Sequence, residues 1–365
     1  MIDVENISDV HSDNDMVFSL LTKGGHEQVL FCYDKPTGLK AIIAVHSTIL
    51  GPSLGGTRIW NYKNENEALL DVLRLSRGMT YKAAISGLNL GGGKAVIIGD
   101  AEKIKSRPFW ERYGQFVDSL NGRYITAEDV NTTVDDIEIV SSKTKHVSGL
   151  PLERGGSGDP SPFTSYGVYL GMKATAFQLW GKDDLSGKKI SVQGTGKVGK
   201  GLIEYLVKDG AEVFITDINQ ERIDDLVNNL GVTAVGLEDI FDVDVDIYAP
   251  CALGATLNDD TIERLKCSAV VGAANNQLAE ETRHIRMLMK KNILYAPDFL
   301  VNAGGVINCY TELGGYNKEK ALRNTEKIYD ATLEIYKTAS KKGITTLEAA
   351  MKIAEDRIES RRKAQ

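Results

Sequence analysis

The feature that most constrains the fold of this chain is the glycine pattern GTGKVG at residues 194–199. It directly follows the strand-like run KKISVQ and opens a stretch, KVGKGLIEYLVKDG, with helical apolar spacing. In such a strand–turn–helix unit the glycines permit a tight turn, and the helix N-terminus offers N–H groups to an anion. The pattern therefore predicts a site for the pyrophosphate of a dinucleotide. The residues expected to contact it are Gly194, Thr195, Gly196, Lys197, Val198 and Gly199.

An acidic residue, Asp217, ends the next strand-like run, FITD, 18 residues after the last glycine of the loop. A carboxylate at this place accepts hydrogen bonds from the adenosine ribose hydroxyls and repels the 2′-phosphate of NADP. The sequence therefore predicts NAD as the cofactor, with nearby Arg222 as a residue that would soften the preference.

The stretch after residue 160 alternates between short apolar runs and helical spacings, and its later strands are expected at VDIYAP, SAVVGAA and NILYAP. Regular alternation of this kind predicts a doubly wound parallel sheet. A loop rich in glycine, proline and serine, RGGSGDPSP at 154–162, separates this stretch from a first half with its own strands and helices. The expected fold class is α/β with two domains, at 1–150 and 151–339.

Composition excludes several other classes. The net charge of -7 argues against nucleic acid as the main partner, because binding phosphates requires clustered lysines and arginines. Apolar stretches are strand-sized, well short of the roughly 20 residues that span a bilayer, and the N-terminus shows no secretory pattern. We therefore expect a soluble, cytoplasmic protein without a metal site. Four cysteines match no zinc spacing and are expected to be buried and inert: Cys32, Cys251, Cys267 and Cys309.

Candidate catalytic and substrate-binding residues in the first half of the chain lie in four short segments: GPSLGGTR (51–58), GMTYK (78–82), GLNLGGGK (87–94) and TAEDV (126–130). Lys94 follows a glycine loop at the mouth of an apolar strand, where desolvation or a neighbouring cation lowers the pKa of a lysine. Lys82 lies near the C-terminal end of a helix predicted over 64–84, where the helix dipole alone also favours a cation. Asp129 ends a strand-like run, and a carboxylate there is also typical of a cap or a surface charge.

Together these motifs resemble those of the Glu/Leu/Phe/Val amino-acid dehydrogenase family. The resemblance runs from about residue 25 to the C-terminus and adds RGMTYKAA, PSPFTSYGV, DIYAPCALGA, AANNQL and NAGGVIN to the segments above. It implies an N-terminal substrate-binding and oligomerisation domain, a Rossmann domain for NAD, and a C-terminal helix, about 340–365, that returns to the first domain. It also implies a homo-oligomer, commonly an octamer. Residues 1–15 lie outside the resemblance.

The resemblance assigns roles to matching positions. Lys94 would activate the water that attacks the imine, and Asp129 would carry protons to and from the substrate nitrogen. Lys82 would bind the substrate α-carboxylate, beside a loop formed by Gly55 and Gly56. Near the nicotinamide the matching residues are Thr164 and Asn276. If the two lysines lie close together, each lowers the pKa of the other, which explains how one can serve as a base.

The implied side-chain pocket contains only uncharged residues: Leu54, Ala127, Val306 and Cys309. It suits an aliphatic side chain, and one methylene in such a pocket changes the free energy by only about 1–3 kcal/mol. The expected activity is therefore reversible, NAD-dependent oxidative deamination of leucine, valine and isoleucine to 2-oxoacids and ammonium. Cys309 replaces the valine usual in the family. The alternative activity is that of relatives acting on phenylalanine or tryptophan, and a remote alternative is a catalytically silent NAD-binding protein. A hydroxy-acid dehydrogenase is disfavoured, because the histidines that such enzymes commonly use lie outside the glycine motifs.

Overall fold

The computed structural model describes residues 16–252 and 254–365, and the chain divides into two units. The first unit consists of residues up to 158 together with 312–316 and 355–365, and the second consists of 159–311 and 317–354. The domain limits expected from the sequence, at 150/151 and 339/340, stay predictions. The polar arm of residues 1–15 lies outside the described residues.

The first unit is built on a five-stranded mixed sheet. Its spatial order is β1-β2-β4-β3-β5; β1, β2 and β4 pair antiparallel, whereas β4, β3 and β5 pair parallel. The strands are β1 (Gln28–Asp34), β2 (Leu39–Ser47), β3 (Ser53–Trp60), β4 (Gly91–Ile98) and β5 (Tyr124–Glu128).

Helices cover both faces of this sheet: α1 (Met16–Gly24), α2 (Glu65–Ile85), α3 (Ala101–Ile104), α4 (Arg107–Ser119) and α5 (Val134–Ser141). The helix predicted over 64–84 is α2, and the Asn64 side chain caps it by accepting the backbone N–H of Glu67. Neighbouring residues of a strand point to opposite faces, so β2 contributes to two cores. Ile42 packs with Leu69 and Val72 of α2, while Ile43 packs in the core that contains α4.

The glycines at 55–56 and 91–93 lie inside strands, and here the sequence-based expectation of loops is wrong. Gly55 and Gly56 belong to β3 rather than to a loop, and β4 begins at Gly91, so Lys94 is its fourth residue and not at its mouth. The close approach of neighbouring backbones explains why these strand positions are glycine. A Cβ on Gly55 would lie 1.7 Å from the carbonyl oxygen of Gly93, and one on Gly92 would lie 2.1 Å from the backbone nitrogen of Thr80 in α2.

The second unit contains the predicted doubly wound sheet, which is confirmed. Six strands, all pairing parallel, follow the order β11-β10-β9-β6-β7-β8. They are β6 (Lys189–Gln193), β7 (Glu212–Thr216), β8 (Thr233–Ala234), β9 (Ile247–Pro250), β10 (Ala269–Val270) and β11 (Leu294–Tyr295). The strand order reverses direction between β6 and β9, which is where ligands bind to sheets of this kind.

Nine further α-helices follow α5 in the described residues. They are α6 (Ser161–Trp180), α7 (Lys197–Lys208), α8 (Gln220–Leu230), α9 (Asp259–Arg264), α10 (Glu281–Lys290), α11 (Asp298–Val301), α12 (Gly304–Glu312), α13 (Lys318–Lys342) and α14 (Thr346–Arg362). The last residues of α14 belong to the first unit, where Arg357 donates to the carbonyl of Ala84 at 2.9 Å. Across the described residues no helix is long and apolar enough to cross a membrane, and no group of three metal-binding side chains occurs.

Candidate active site

Lys94 and Asp129 are brought together on the sheet of the first unit. The Lys94 Nζ lies 2.9 Å from Oδ2 of Asp129, which directly follows β5. The Lys94 side chain is buried, with 7% of its surface exposed, and that of Asp129 is 25% exposed. A lysine held this deeply is stable as an ammonium only beside an anion, which Asp129 provides.

Glycines of β3 let the backbones around this pair approach closely. A Cβ on Gly56 would lie 2.8 Å from the Asp129 Cβ, and one on Gly55 would lie 3.4 Å from the Lys94 Cα. The backbone of Asp129 is fixed as well, because its N–H donates to the Thr132 hydroxyl, which in turn donates to the carbonyl of Thr57 at 3.0 Å. Strands that approach this closely give the two charged groups a defined separation.

A second cation, Arg58, reaches the same carboxylate. Its Nε donates to Oδ2 of Asp129 at 3.0 Å, and its terminal nitrogen donates to Oδ2 of Asp71 in α2 at 3.2 Å. Asp71 also accepts the Tyr62 hydroxyl at 2.7 Å and the Arg74 guanidinium at 3.1 Å. Burial opposes ionisation of Asp129, but attraction to Lys94 and Arg58 outweighs it, so the pKa of this carboxyl lies below its usual value.

Lys82 lies in the last turn of α2, half-buried. This helix packs directly on the glycine end of β4, because Gly92 leaves no side chain between the strand and Thr80. Leu54 and Ala127, expected in the side-chain pocket, are buried residues of β3 and β5 in the same unit. Adjacency of Lys82 and Lys94 stays a prediction.

In the second unit, the loop at 194–199 connects β6 to α7 as predicted. Gly194 has a φ of 103°, and a Cβ on Gly199 would lie 1.9 Å from the Gly194 carbonyl oxygen, so both positions require glycine. At Gly196, by contrast, the direction of a Cβ is open space, and no side chain of the described residues caps the helix that starts there. These are the space and the N–H groups that a pyrophosphate requires, so the loop fits a dinucleotide.

The carboxylate of Asp217 lies beside this loop. Its Oδ2 accepts the Thr195 backbone N–H at 2.6 Å and the Thr195 hydroxyl at 3.0 Å, and its Oδ1 accepts the Asn219 N–H at 2.9 Å. Burial opposes the charge, but these backbone N–H groups outweigh it and keep the pKa of Asp217 below its usual value. The residue is therefore an anion at neutral pH, in the position expected for a ribose contact.

The other predicted site residues of this unit lie on α6, on α12 and in a loop. Thr164 is half-buried in α6 and donates to the Pro160 carbonyl, while Asn276 is exposed with a φ of 52°. Val306 and Cys309 are half-buried residues of α12. Of the four cysteines expected to be buried, Cys32 is buried, whereas Cys251, Cys267 and Cys309 are half-buried. Burial still raises the pKa of the Cys32, Cys251 and Cys267 thiols to about 12, which suits an inert role.

Comparison with known proteins agrees with both halves of this arrangement. Residues 26–146 match the family model described as the Glu/Leu/Phe/Val dehydrogenase dimerisation domain, and residues 215–365 match the one for Glutamate/Leucine/Phenylalanine/Valine dehydrogenase. The chain belongs to the Glu/Leu/Phe/Val dehydrogenase family.

Members of this family align with nearly the whole chain. A leucine dehydrogenase from Thermoactinomyces intermedius is 53% identical over 95% of this chain and 94% of its own length. A phenylalanine dehydrogenase from Caldalkalibacillus thermarum is 50% identical over 92% of each. Among solved structures, L-tryptophan dehydrogenase from Nostoc punctiforme is 48% identical, with a TM-score of 0.86 over 95% of this chain and all of its own. The chain is accordingly an amino-acid dehydrogenase with an α/β fold that suits a nicotinamide cofactor.

Sequence reasoning missed Arg58 and Asp71, two charged residues next to the predicted pair. The signal for Arg58 was weak, because the glycine-rich segment 51–58 is typical of a loop and its glycines obscure the strand β3 in the sequence. As part of a strand, Arg58 lies two residues after Gly56 and therefore on the same face. Asp71 carries no local signal, since it is one of several acidic residues on α2.

Proposed function

We propose that this chain catalyses the reversible, NAD-dependent oxidative deamination of branched-chain L-amino acids, leucine foremost and valine and isoleucine as well. In this reaction an L-amino acid, NAD⁺ and water give a 2-oxoacid, ammonium, NADH and a proton. The observation that carries the proposal is the Lys94–Asp129 pair, held 2.9 Å apart across β3, whose glycines let the neighbouring backbones approach closely.

Each charged residue takes one task in this reaction. The Lys82 ammonium binds the substrate α-carboxylate next to Gly55 and Gly56. Asp129 accepts a proton from the substrate ammonium, so that the nitrogen lone pair is free to form the imine. Lys94 accepts a proton from the water that attacks the imine carbon. A bound nicotinamide supplies the hydride acceptor.

The choice of NAD over NADP is supported by Asp217, an anion where a 2′-phosphate would have to lie. The loop at 194–199 would hold the pyrophosphate, and Thr164 and Asn276 would lie near the nicotinamide. Arg222 follows on α8, where Asn219 caps its backbone N–H at 3.1 Å, and is the residue that would soften this preference.

Preference for an aliphatic substrate is supported by the proposed lining, since Leu54, Ala127, Val306 and Cys309 carry no charge for a second substrate carboxylate. An aromatic substrate is the second candidate. It is favoured by Cys309, because cysteine occupies less volume than the valine expected there, and by relatives named phenylalanine and L-tryptophan dehydrogenase at 50% and 48% identity.

A panel of L-amino acids, assayed by NADH and NADPH absorbance with NAD and NADP in parallel, tests the proposal. Leucine, valine and isoleucine should all react, within about 200-fold of one another, because their side chains differ by at most one methylene or its position. Glutamate should not react, and the reverse reaction should require ammonium. Fastest turnover of phenylalanine or tryptophan would establish the second candidate, and NAD binding without turnover of any amino acid would indicate a catalytically silent protein.

We also propose that the chain forms a homo-oligomer, an octamer by family resemblance. In support, β1 is an edge strand of its sheet and presents Phe31 and Tyr33 to solvent, 55% and 62% exposed. Light scattering should give eight times the chain mass of 39.9 kDa. The cytoplasmic location stays a prediction from composition.

A further inference from the structure

The proposed mechanism leaves one charge problem around Asp129. Lys94 is its nearest cation, yet Lys94 is also the group proposed to exchange a proton with water. Whenever Lys94 is neutral, it no longer stabilises the carboxylate beside it. A partly buried aspartate without a fixed cation tends to bind a proton and would then be unable to accept one from the substrate.

Arg58 provides a cation that cannot be lost. A guanidinium does not deprotonate in proteins, and its planar fork holds two carboxylates in fixed directions. Here the fork joins Asp129 at 3.0 Å to Asp71 at 3.2 Å. The Arg58 side chain is 22% exposed, and the Asp71 carboxylate that anchors it is 14% exposed, so solvent screens these contacts only in part.

The same contacts give the two carboxylate oxygens of Asp129 different roles. Lys94 and Arg58 both contact Oδ2, at 2.9 Å and 3.0 Å. Within residues 16–252 and 254–365, no hydrogen bond is made to Oδ1. Binding of both cations on one side therefore leaves the other oxygen for a proton from the substrate nitrogen.

We propose that Arg58 is a positioning residue for the reaction, which holds Asp129 ionised and turned with Oδ1 toward the substrate nitrogen throughout the proton exchanges of Lys94. In the step concerned, an N–H bond of the substrate ammonium breaks, its electron pair stays on nitrogen, and the proton binds Oδ1. This proposal rests on the function proposed above, and it adds a residue and a reason for its guanidinium.

Several other charged or titratable groups surround Asp129, and the test has to separate Arg58 from them. On β4 there is Lys94, and on β5 the neighbouring Glu128 and the buried Tyr124. Beyond Arg58 the remaining groups are Asp71, Arg74 and Tyr62. Arg74 contacts the same Asp71 from a side chain that is 52% exposed, which makes it a matched control.

The experiment compares Arg58→Gln, Arg58→Lys and Arg74→Gln by the pH dependence of kcat/KM for leucine. Loss of the guanidinium charge makes every nearby group keep its proton more tightly. The acid limb of the pH profile of kcat/KM for Arg58→Gln should therefore move upward by about one pH unit or more. Its kcat should fall about 100-fold, and its KM for NAD should stay within a few-fold of that of the parent. Arg58→Lys should keep the limb in place but lose kcat, because one ammonium cannot hold two carboxylates. Arg74→Gln should match the parent.

Asp71→Asn adds an independent measurement if Arg58→Gln does not fold. Removing an anion while Arg58 remains should move the acid limb downward. The role of Arg58 is refuted if the limb of a folded Arg58→Gln enzyme coincides with that of the parent, or if Arg58→Lys and Arg58→Gln behave alike. Failure of the proposed function is a separate result, since the parent itself would then oxidise no amino acid.

Discussion

Lys94 of β4 lies 2.9 Å from the carboxylate of Asp129, at the end of β5, although β3 separates the two strands in the sheet. The long Lys94 side chain reaches across β3 on the face of Gly56, which has no side chain in its way. The pair is therefore a property of three strands, and its chemistry depends on each of them.

Lys94→Ala should abolish most turnover with little effect on NAD binding. Removing a general base typically lowers kcat by about 10²–10⁴-fold, and Lys94 does not belong to the nucleotide-binding unit. Lys103→Ala is the control, because that lysine is 79% exposed in an ion pair of α3. Steady-state kinetics with leucine and NAD measure the effect, and unchanged turnover in Lys94→Ala would remove this residue from the mechanism.

Asp217→Asn should weaken the discrimination between NAD and NADP. The substitution keeps the size of the side chain but removes the charge that repels a 2′-phosphate, so the ratio of kcat/KM for NADP to that for NAD should rise about 10-fold or more. Asp225→Asn changes an exposed carboxylate of α8 and should leave the ratio as it is. An unchanged ratio in Asp217→Asn would mean that another group selects the cofactor.

Gly92→Ala and Gly78→Ala should change stability in opposite directions. A Cβ on Gly92 would press α2 away from β4, with a cost of about 3 kcal/mol in the free energy of unfolding. Gly78 lies in the interior of α2 with open space around it, so alanine there should add about 0.5–1 kcal/mol. Urea unfolding midpoints measure both, and a tolerated Gly92→Ala would contradict the close packing of helix and strand.

The His46 side chain should make the protein less stable in mild acid. Its Nδ1 bonds the Thr80 hydroxyl at 2.8 Å, its Nε2 bonds the Gly24 carbonyl at 3.0 Å, and the His26 ring lies 4.8 Å away. Burial, followed by the charge of His26, lowers the pKa of His46 to about 3. The unfolded chain binds a proton below about pH 6.5, whereas the native state does so only near pH 3. Stability from this residue is thus complete above about pH 6.5 and declines toward pH 3.

Between pH 7 and pH 5 this linkage amounts to about 2 kcal/mol of unfolding free energy. His46→Gln removes the titrating group, so the urea midpoint of the variant should depend less on pH over this range than that of the parent. The remaining dependence would include His26, whose pKa is also lowered by burial. Equal pH dependence in parent and variant would show that the histidine is already paired in the unfolded chain.

The nucleotide half of the site could be predicted because its signal is local. The loop at 194–199, its helix and Asp217 lie in one short stretch, and the structure joins Asp217 to Thr195 at 2.6 Å. The substrate half was predicted less completely. β3 was missed because glycines in a strand look like a loop, and the link from Arg58 to Asp71 joins a strand to a helix without any periodic spacing. Contacts of that kind depend on tertiary packing.

The four residues proposed to line the side-chain pocket differ in how easily evolution can change them. Leu54 is 2% exposed on a strand paired on both sides, and Ala127 is buried on its neighbour, so a larger residue at either position would strain the sheet that carries Lys94. Val306 and Cys309 lie half-buried on α12, where a change in side-chain volume disturbs fewer neighbouring residues. Divergence of substrate range in such a chain is therefore expected to begin on the helix, with the sheet inherited almost unchanged.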